Sequence, residues 1–360
     1  MLPLLLASSL ALAQAQPLAQ RMSPEATGNC QVPNWSADGN QLSWELNFHD
    51  RKIVELWVSP GYAGATPRRI VPVTRGSSAM TAGFDVAGSE TVAHELSWAP
   101  AALKRFVYAS SGSTQDYDLY IDGGGPVAQA AGADGTATWS PDGKWIAFTS
   151  ARTGQGDLYL LDVAALEKAP LKLTGDPTAS ELFAAWSPDS QKIAFVGHTQ
   201  KGDNIYLIDN INFPAPRAIT AWEHTQTRPT WSPDGTMIAF FSNHTDINRF
   251  DLYVTPVSGT PTLVATDVAL NDDGPAWTPD SKHLIYVKKD EQSFDPVYAA
   301  PVRQPSQAKV IATGTVGNGD LDVAKRPDGK VWLAVVAQGL TNDKKRDFKK
   351  VYALPLSGLP

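Results

Sequence analysis

The residues of this chain with chemistry to offer are six histidines, one cysteine and a scatter of carboxylates. His198, His224 and His244 fall in polar segments, 26 and 20 residues apart, and Asp246 lies close to the last of them. Imidazoles with a neighbouring carboxylate are a ligand set for a transition metal. No His-x-x-x-His or Cys-x-x-Cys spacing fixes two ligands on one element, however, and convergence in space cannot be read from loops. No metal or cofactor is therefore assigned, and a divalent ion at these imidazoles is the alternative. Arg228 offers different chemistry, because its planar fork can hold a carboxylate through two parallel hydrogen bonds. Together with Glu181, Asp272 and Asp273 it suits recognition better than bond making. The sequence holds no Gly-x-Ser-x-Gly nucleophile turn. Gly123-Gly124-Gly125 reads as a flexible hairpin turn and not as a phosphate cradle. Cys30 stands alone, which excludes a disulfide within the chain and leaves a small buried hydrophobe as its expected role.

What must position these residues is a repeat. Trp139-Ser140-Pro141-Asp142-Gly143, Trp186-Ser187-Pro188-Asp189-Ser190, Trp231-Ser232-Pro233-Asp234-Gly235 and Trp277-Thr278-Pro279-Asp280-Ser281 are its clear copies. Trp35-Ser36-Ala37-Asp38-Gly39 and Trp98-Ala99-Pro100 are weaker, and Lys325-Arg326-Pro327-Asp328-Gly329 keeps the turn but loses the Trp. The copies start at 35, 98, 139, 186, 231, 277 and 325, so their gaps are 63, 41, 47, 45, 46 and 48. A period of roughly 40 to 50 residues marks stacked supersecondary units that cannot bury their apolar faces alone.

Each turn is followed by an apolar run such as Trp145-Ile146-Ala147-Phe148 or Ile238-Ala239-Phe240-Phe241. A polar loop leads to a second run, as in Asp157-Leu158-Tyr159-Leu160, and a third follows, as in Leu171-Lys172-Leu173-Thr174. Short aromatic and β-branched runs bounded by Gly, Pro, Asn and Asp are strands. With the strand that ends in the Trp, each repeat holds four. The expected fold is all-β: a β-propeller of four-stranded antiparallel blades, seven in number, with six as the alternative. In the turn, proline presets φ, Asp bonds the local backbone and Gly accepts a positive φ. The Trp is long enough to reach the neighbouring blade. The repeated Trp and Asp are thus read as scaffold, and Lys325 predicts looser packing of the last blade.

The tandem Trp-Ser-Pro-Asp-Gly, Ile-Ala-Phe and Asp-Leu-Tyr strings resemble the WD40-like repeats of the TolB-type β-propellers, from about Trp35 to Pro360. The first repeat follows soon after the N-terminal apolar stretch, so the expectation is a propeller without the separate N-terminal α/β domain of TolB. The resemblance implies a protein-binding platform of the bacterial cell envelope. Two enzyme families carry similar repeats. Prolyl-oligopeptidase relatives add an α/β-hydrolase domain, whose nucleophile turn is missing from this sequence. Oligogalacturonate lyases are propellers with a histidine-rich metal site, and a metal-assisted carbohydrate-active enzyme of that kind is the alternative function. None of their catalytic residues maps onto a position here.

A net charge of -7 and a pI near 5.4 weigh against a nucleic-acid partner. Residues 1–15 read as a signal peptide, with a short apolar stretch before an Ala-x-Ala pattern and no basic residue ahead of it. No apolar run reaches the roughly 18 residues of a membrane span. Residues 16–360 form a single expected propeller domain, exported to the periplasm or beyond. Pro17 to Pro24 resembles Pro170 to Pro177, a fourth-strand segment, so the N-terminus is expected to complete the last blade. One face gathers the irregular polar residues. Loops between blades are expected to carry Glu181, His224, Arg228, Asp272 and Asp273. Loops between second and third strands are expected to carry His198, Asn243, His244, Asp246, Lys288 and Asp290. That face is the predicted partner surface, for an envelope protein or peptide, with carbohydrate as the alternative ligand. The Ser77–Ala93 connection is about a dozen residues longer than its counterparts, and long loops are often functional.

Overall fold

The computed structural model describes residues 19–24, 28–48, 53–70, 93–111, 116–176, 178–292, 294–340 and 348–359. Nearly all of its regular structure is β, arranged in antiparallel quartets on one plan. In the third quartet Asp134–Trp139 pairs with Trp145–Ser150, which pairs with Asp157–Asp162, which pairs with Leu171–Lys172. Among the described residues seven such groups occur. They open on Asn29–Trp35, Ala93–Trp98, Asp134–Trp139, Ser180–Trp186, His224–Trp231, Ala276–Trp277 and Leu321–Lys325. The opening strands of neighbouring groups touch one another, the arrangement of a propeller whose first strands border the axis. The last group takes Leu321–Lys325, Val331–Ala337 and Lys350–Pro355 from its own repeat. Its fourth strand is Gln20–Arg21, with Gln20 opposite Ala353 and Arg21 opposite Tyr352. Residues 1–18, and with them the expected signal peptide, lie outside the described residues, as do residues 71–92 of the long first connection.

Burial explains the run of residue types along each quartet. The second and third strands are covered on both faces by neighbouring quartets. Ile146, Ala147, Phe148, Leu158 and Leu161 are therefore fully buried, without the alternation of a half-exposed sheet. Most fourth strands lie at the rim and are short and exposed, as in Leu171–Lys172 and Pro216–Ala218, whereas Thr262–Val268 of the fifth quartet is longer. Short outer strands offer little edge for pairing with other chains. The core is divided among the junctions. Val107 and Leu119 of the second quartet pack with Trp139 and Phe148 of the third. Leu42 and Trp44 of the first pack with Ala334 and Val351 of the last, which closes the ring.

The repeated turn is a fixed hydrogen-bond unit. The Ser140 hydroxyl donates to Asp142 Oδ1 (2.7 Å) and accepts from the Trp145 amide (3.0 Å). Asp142 Oδ1 also accepts the Lys144 amide (3.1 Å). The same pattern recurs at Ser187 with Asp189, Ser232 with Asp234 and Thr278 with Asp280. Hydrogen bonds from Ser187 and Ser232 are the main reason Asp189 and Asp234 titrate below the usual carboxylate range. Ser190 and Ser281 replace the turn glycine at φ 58 and 61. Each hydroxyl then accepts an amide of a neighbouring turn, Asp142 N at 3.0 Å and Asp234 N at 2.9 Å. The preceding Trp is buried against the quartet before it. Trp98, Trp186 and Trp231 Nε1 donate to the carbonyls of Asn34, Thr138 and Ala185, each the residue just before that quartet's own Trp.

Candidate functional site

Three residues before each repeat Trp, the opening strand does something the repeat itself does not announce. Register shifts break the first-to-second strand pairing at Gln31/Asn34, His94/Ser97, Gly135/Thr138, Leu182/Ala185 and Thr227/Thr230. Within these bulges Val32, Glu95, Thr136, Phe183 and Arg228 have φ between 46 and 57, and Gly274 of the sixth quartet has φ 90. A left-handed residue other than glycine, above all a β-branched one such as Val32, is held there only by its surroundings. The last quartet has lost both the Trp and the bulge: Leu321 to Lys325 pairs in unbroken register with Val335 to Val331.

The bulge re-aims an amide toward the neighbouring quartet, where a carboxylate takes it. Asp320 Oδ2 accepts Val32 N (3.2 Å), Glu45 Oε1 accepts Glu95 N (2.8 Å) and Glu95 Oε2 accepts Thr136 N. Asp322, three residues before Lys325, accepts Trp35 N at 2.7 Å. On the other side of the ring Arg228 lies over the Phe183 ring, 3.9 Å from its centroid, and donates to Asp272 Oδ1 (3.2 Å). The Asp272 amide in turn donates to Asp320 Oδ1 (3.3 Å). These groups form an acidic inner wall with Arg228 at one side.

Confinement governs the charges on that wall. Asp273 is exposed to solvent, and three neighbouring carboxylates act on it. Desolvation, then Asp322, Asp320 and Glu45, push its carboxyl well above the ordinary range against the pull of Arg228. Burial raises Asp322 to about 6, opposed by the Trp35 and Val323 amides. Burial and Asp272 raise Asp320.

The residues singled out by sequence are placed unevenly. Glu181, His224 and Arg228 are strand residues and not loop residues, because the opening strands begin earlier than the hydrophobic pattern suggests. Glu181 is 4% exposed, and it accepts the Thr174 hydroxyl at 3.0 Å. Burial pushes its carboxyl up to about 7, with Asp157 and Asp176 adding and Thr174 and Lys172 opposing. His198, at the outer end of its strand, is exposed and paired with Asp203 through Nδ1. Asp246 is held by the Asn248 amide (3.0 Å) and by Arg249. His244 stacks on Trp222, with centroids 4.0 Å apart, and its Nδ1 lies 2.9 Å from Ser242 Oγ. Burial, together with His224, lowers its pKa against the pull of Asp251. Among the described residues no three His, Cys, Asp or Glu side chains are grouped to hold a metal ion. Cys30 is buried and unpaired. The Ser77–Ala93 connection falls almost wholly outside the described residues.

Asp320, Asp322, Glu45 and Glu95 escaped the sequence reading. For Glu95 and Asp322 the signal was available: counting three residues back from each Trp, or from Lys325, gives Val32, Glu95, Thr136, Phe183, Arg228, Gly274 and Asp322.

The family described as the TolB beta propeller domain matches residues 175–346. The repeats within that stretch match the TolB-type propeller repeat. TolB from Acinetobacter baumannii superposes with a TM-score of 0.53 at 17% identity, covering 75% of this chain and 63% of that one. A Mycobacterium tuberculosis puromycin-hydrolyzing peptidase gives 0.60 at 13% identity, over 96% of this chain and 57% of that one. The β-propeller domain of the Trilobed protease from Pyrococcus furiosus gives 0.59 at 10% identity, over 92% and 99%. At these identities the likeness establishes the fold. A curated relative, an uncharacterized Bacillus subtilis peptidase, YuxL, is 24% identical over 168 residues, 37% of this chain and 25% of its own length. The match thus spans one quarter of that relative. Among the described residues no helix is long and apolar enough to cross a membrane.

Proposed function

We propose that this TolB-like propeller is a non-enzymatic protein-binding platform of the bacterial cell envelope. Its partner docks on the face where the opening strands begin and reaches the inner wall at Arg228. The observation that carries this reading is the contrast at one register position. The turns repeat around the ring, whereas the position three residues before the Trp reads Val, Glu, Thr, Phe, Arg, Gly and Asp. A pseudo-symmetric scaffold recognises a unique partner through such differences. Arg228 is the preferred anchor, since its guanidinium lies over Phe183 and binds Asp272 through one nitrogen, which presents a planar donor fork at the wall. His224, His198 and Asp246 belong to the surrounding rim.

The test is a crosslinking pull-down from intact cells, followed by titration of the purified partner. Arg228→Ala is expected to weaken binding by about 2 kcal/mol or more, the scale of a hot spot. Unchanged affinity in Arg228→Ala and in a His224→Ala/His244→Ala double variant would move the interface elsewhere. The competing reading, a metal-assisted carbohydrate-active enzyme, predicts a divalent ion retained through dialysis and turnover of uronides.

A further inference from the structure

The last quartet is held to its two neighbours in unequal ways. The fifth residue of a repeat turn reaches the turn of the quartet before it. Ser190 and Ser281 do so through their hydroxyls, at 3.0 and 2.9 Å. A methyl group placed on Gly39, Gly143 or Gly235 would meet Arg326, Leu103 or Pro188 of the preceding turn within 3.5 Å. One placed on Gly329 would meet nothing within 4 Å. The last turn is bound on its other side instead, where Arg326 Nε donates to the Gly39 carbonyl (3.1 Å) and its guanidinium lies over Trp35. The opening strand shows the same asymmetry. Ala137 and Trp139 of the third quartet are 6% and 5% exposed, whereas Val323 is half-buried and Lys325 is exposed. Among the described residues, the polar contacts that join the sixth and last quartets lie at the end away from the turns. Asn271 bonds both backbone groups of Leu321, the Asp272 amide donates to Asp320, and Asn318 Nδ2 donates to the Asp295 carbonyl. Ile285, Ala299, Leu333 and Val335 fill the rest with apolar contact.

We propose that the ring opens at this junction first: the sixth and last quartets part at their turn ends, pivoting on Asn271, while the other junctions stay closed. At the junctions made by Trp98, Trp186 and Trp231, parting would strip a large ring from the quartet before it and break its Nε1 hydrogen bond. Between the sixth and last quartets no ring has to be withdrawn and no turn contact has to be broken, so only aliphatic contacts are lost. Local opening follows the route that gives up the fewest buried contacts. A few residues at the ends of elements are enough to absorb such a movement, and the Asn271 bonds sit at the ends of the strands they join. Opening in this sense widens the turn-side mouth of the ring and leaves every quartet intact.

Thiol labelling can compare the two faces of one strand. On Val297–Pro301 of the sixth quartet, Ala299 packs toward the last quartet and Ala300 toward the fifth, and they are 1% and 0% exposed. Ala299→Cys and Ala300→Cys are made in the full chain with Cys30→Ala and labelled under native conditions. The unaltered chain supplies a third reporter, because Cys30 packs between the last and first quartets. After correction for the reactivity of a free thiol, Ala299→Cys is expected to react about tenfold faster than the other two, as local opening allows. Its rate should depend little on urea below the unfolding transition, since such opening exposes little surface. Val335→Cys and Val336→Cys repeat the comparison on the last quartet's second strand, facing the sixth and first quartets, should an alanine variant fail to fold. Equal rates on the two faces of a strand would overturn the proposal. So would a steep urea dependence shared by all the thiols, which would mean that they react only through global unfolding.

Discussion

The junction between the fourth and fifth quartets and the junction between the sixth and last solve the same problem with different chemistry. At the first, Trp231 is 8% exposed, packs with Ala194, Leu207 and Ile238, and donates its Nε1 to the Ala185 carbonyl at 3.0 Å. At the second, Lys325 occupies the place of the Trp and points its charge to solvent. Asn271 does the bridging instead. Its Nδ2 donates to the Gly274 and Leu321 carbonyls (2.6 and 2.9 Å), and its Oδ1 accepts the Leu321 amide at 3.3 Å. Ile285, Val297, Leu333 and Val335 supply the apolar area. The expectation from sequence that the last quartet packs more loosely for want of a Trp did not include this bridge, beside which lies a small cavity lined by Phe241, Asn271, Ile285, Tyr286 and Leu321. A junction can lose its aromatic and stay joined if a buried amide satisfies both strands.

The largest effect should come from the Trp-bearing junction. Trp231→Ala is expected to cost about 3–5 kcal/mol, the range for deleting a buried aromatic. Urea unfolding monitored by circular dichroism measures it, and a loss under about 1 kcal/mol would mean that the rings decorate the junctions without holding them.

Asn271→Ala should come next, at about 1–3 kcal/mol, because it leaves the buried Leu321 amide without its acceptor. If it proved harmless, the apolar contacts alone would be holding the sixth and last quartets together. The smallest effect belongs to Lys325→Ala, which should stay within about 0.5 kcal/mol, as surface substitutions do. A larger loss in the same unfolding assay would show that Lys325 has a bridging role of its own.

The same contrast shows how far the residues could be read in advance. The strand runs, the turn chemistry and the inward Trp are local, and each follows from three to six neighbouring residues. Ser232 and Asp234 hydrogen-bond each other two residues apart, a geometry that any copy of the turn reproduces. The histidines were harder. His198, His224 and His244 fall near one rim by repeat position, but whether they converge depends on side-chain directions. His244 spends its ring on Trp222 and Ser242. Glu181 looked like a loop residue because its strand starts with polar residues, and only neighbouring quartets make that strand a buried one.

By itself the sequence determined the repeat, the strand content, the turn and the scaffold role of the Trp and Asp, because these depend on short-range geometry copied along the chain. Tertiary structure alone decided the inner wall. Asp320 lies 288 residues from Val32, and Asp322 lies 287 from Trp35, yet each carboxylate accepts that distant residue's amide across the closure of the ring. Such contacts carry no periodic signature, since each bulge amide is met by whichever neighbour the curvature of the sheets brings within reach. The contacts gathered there exist only once the two ends of the chain have met.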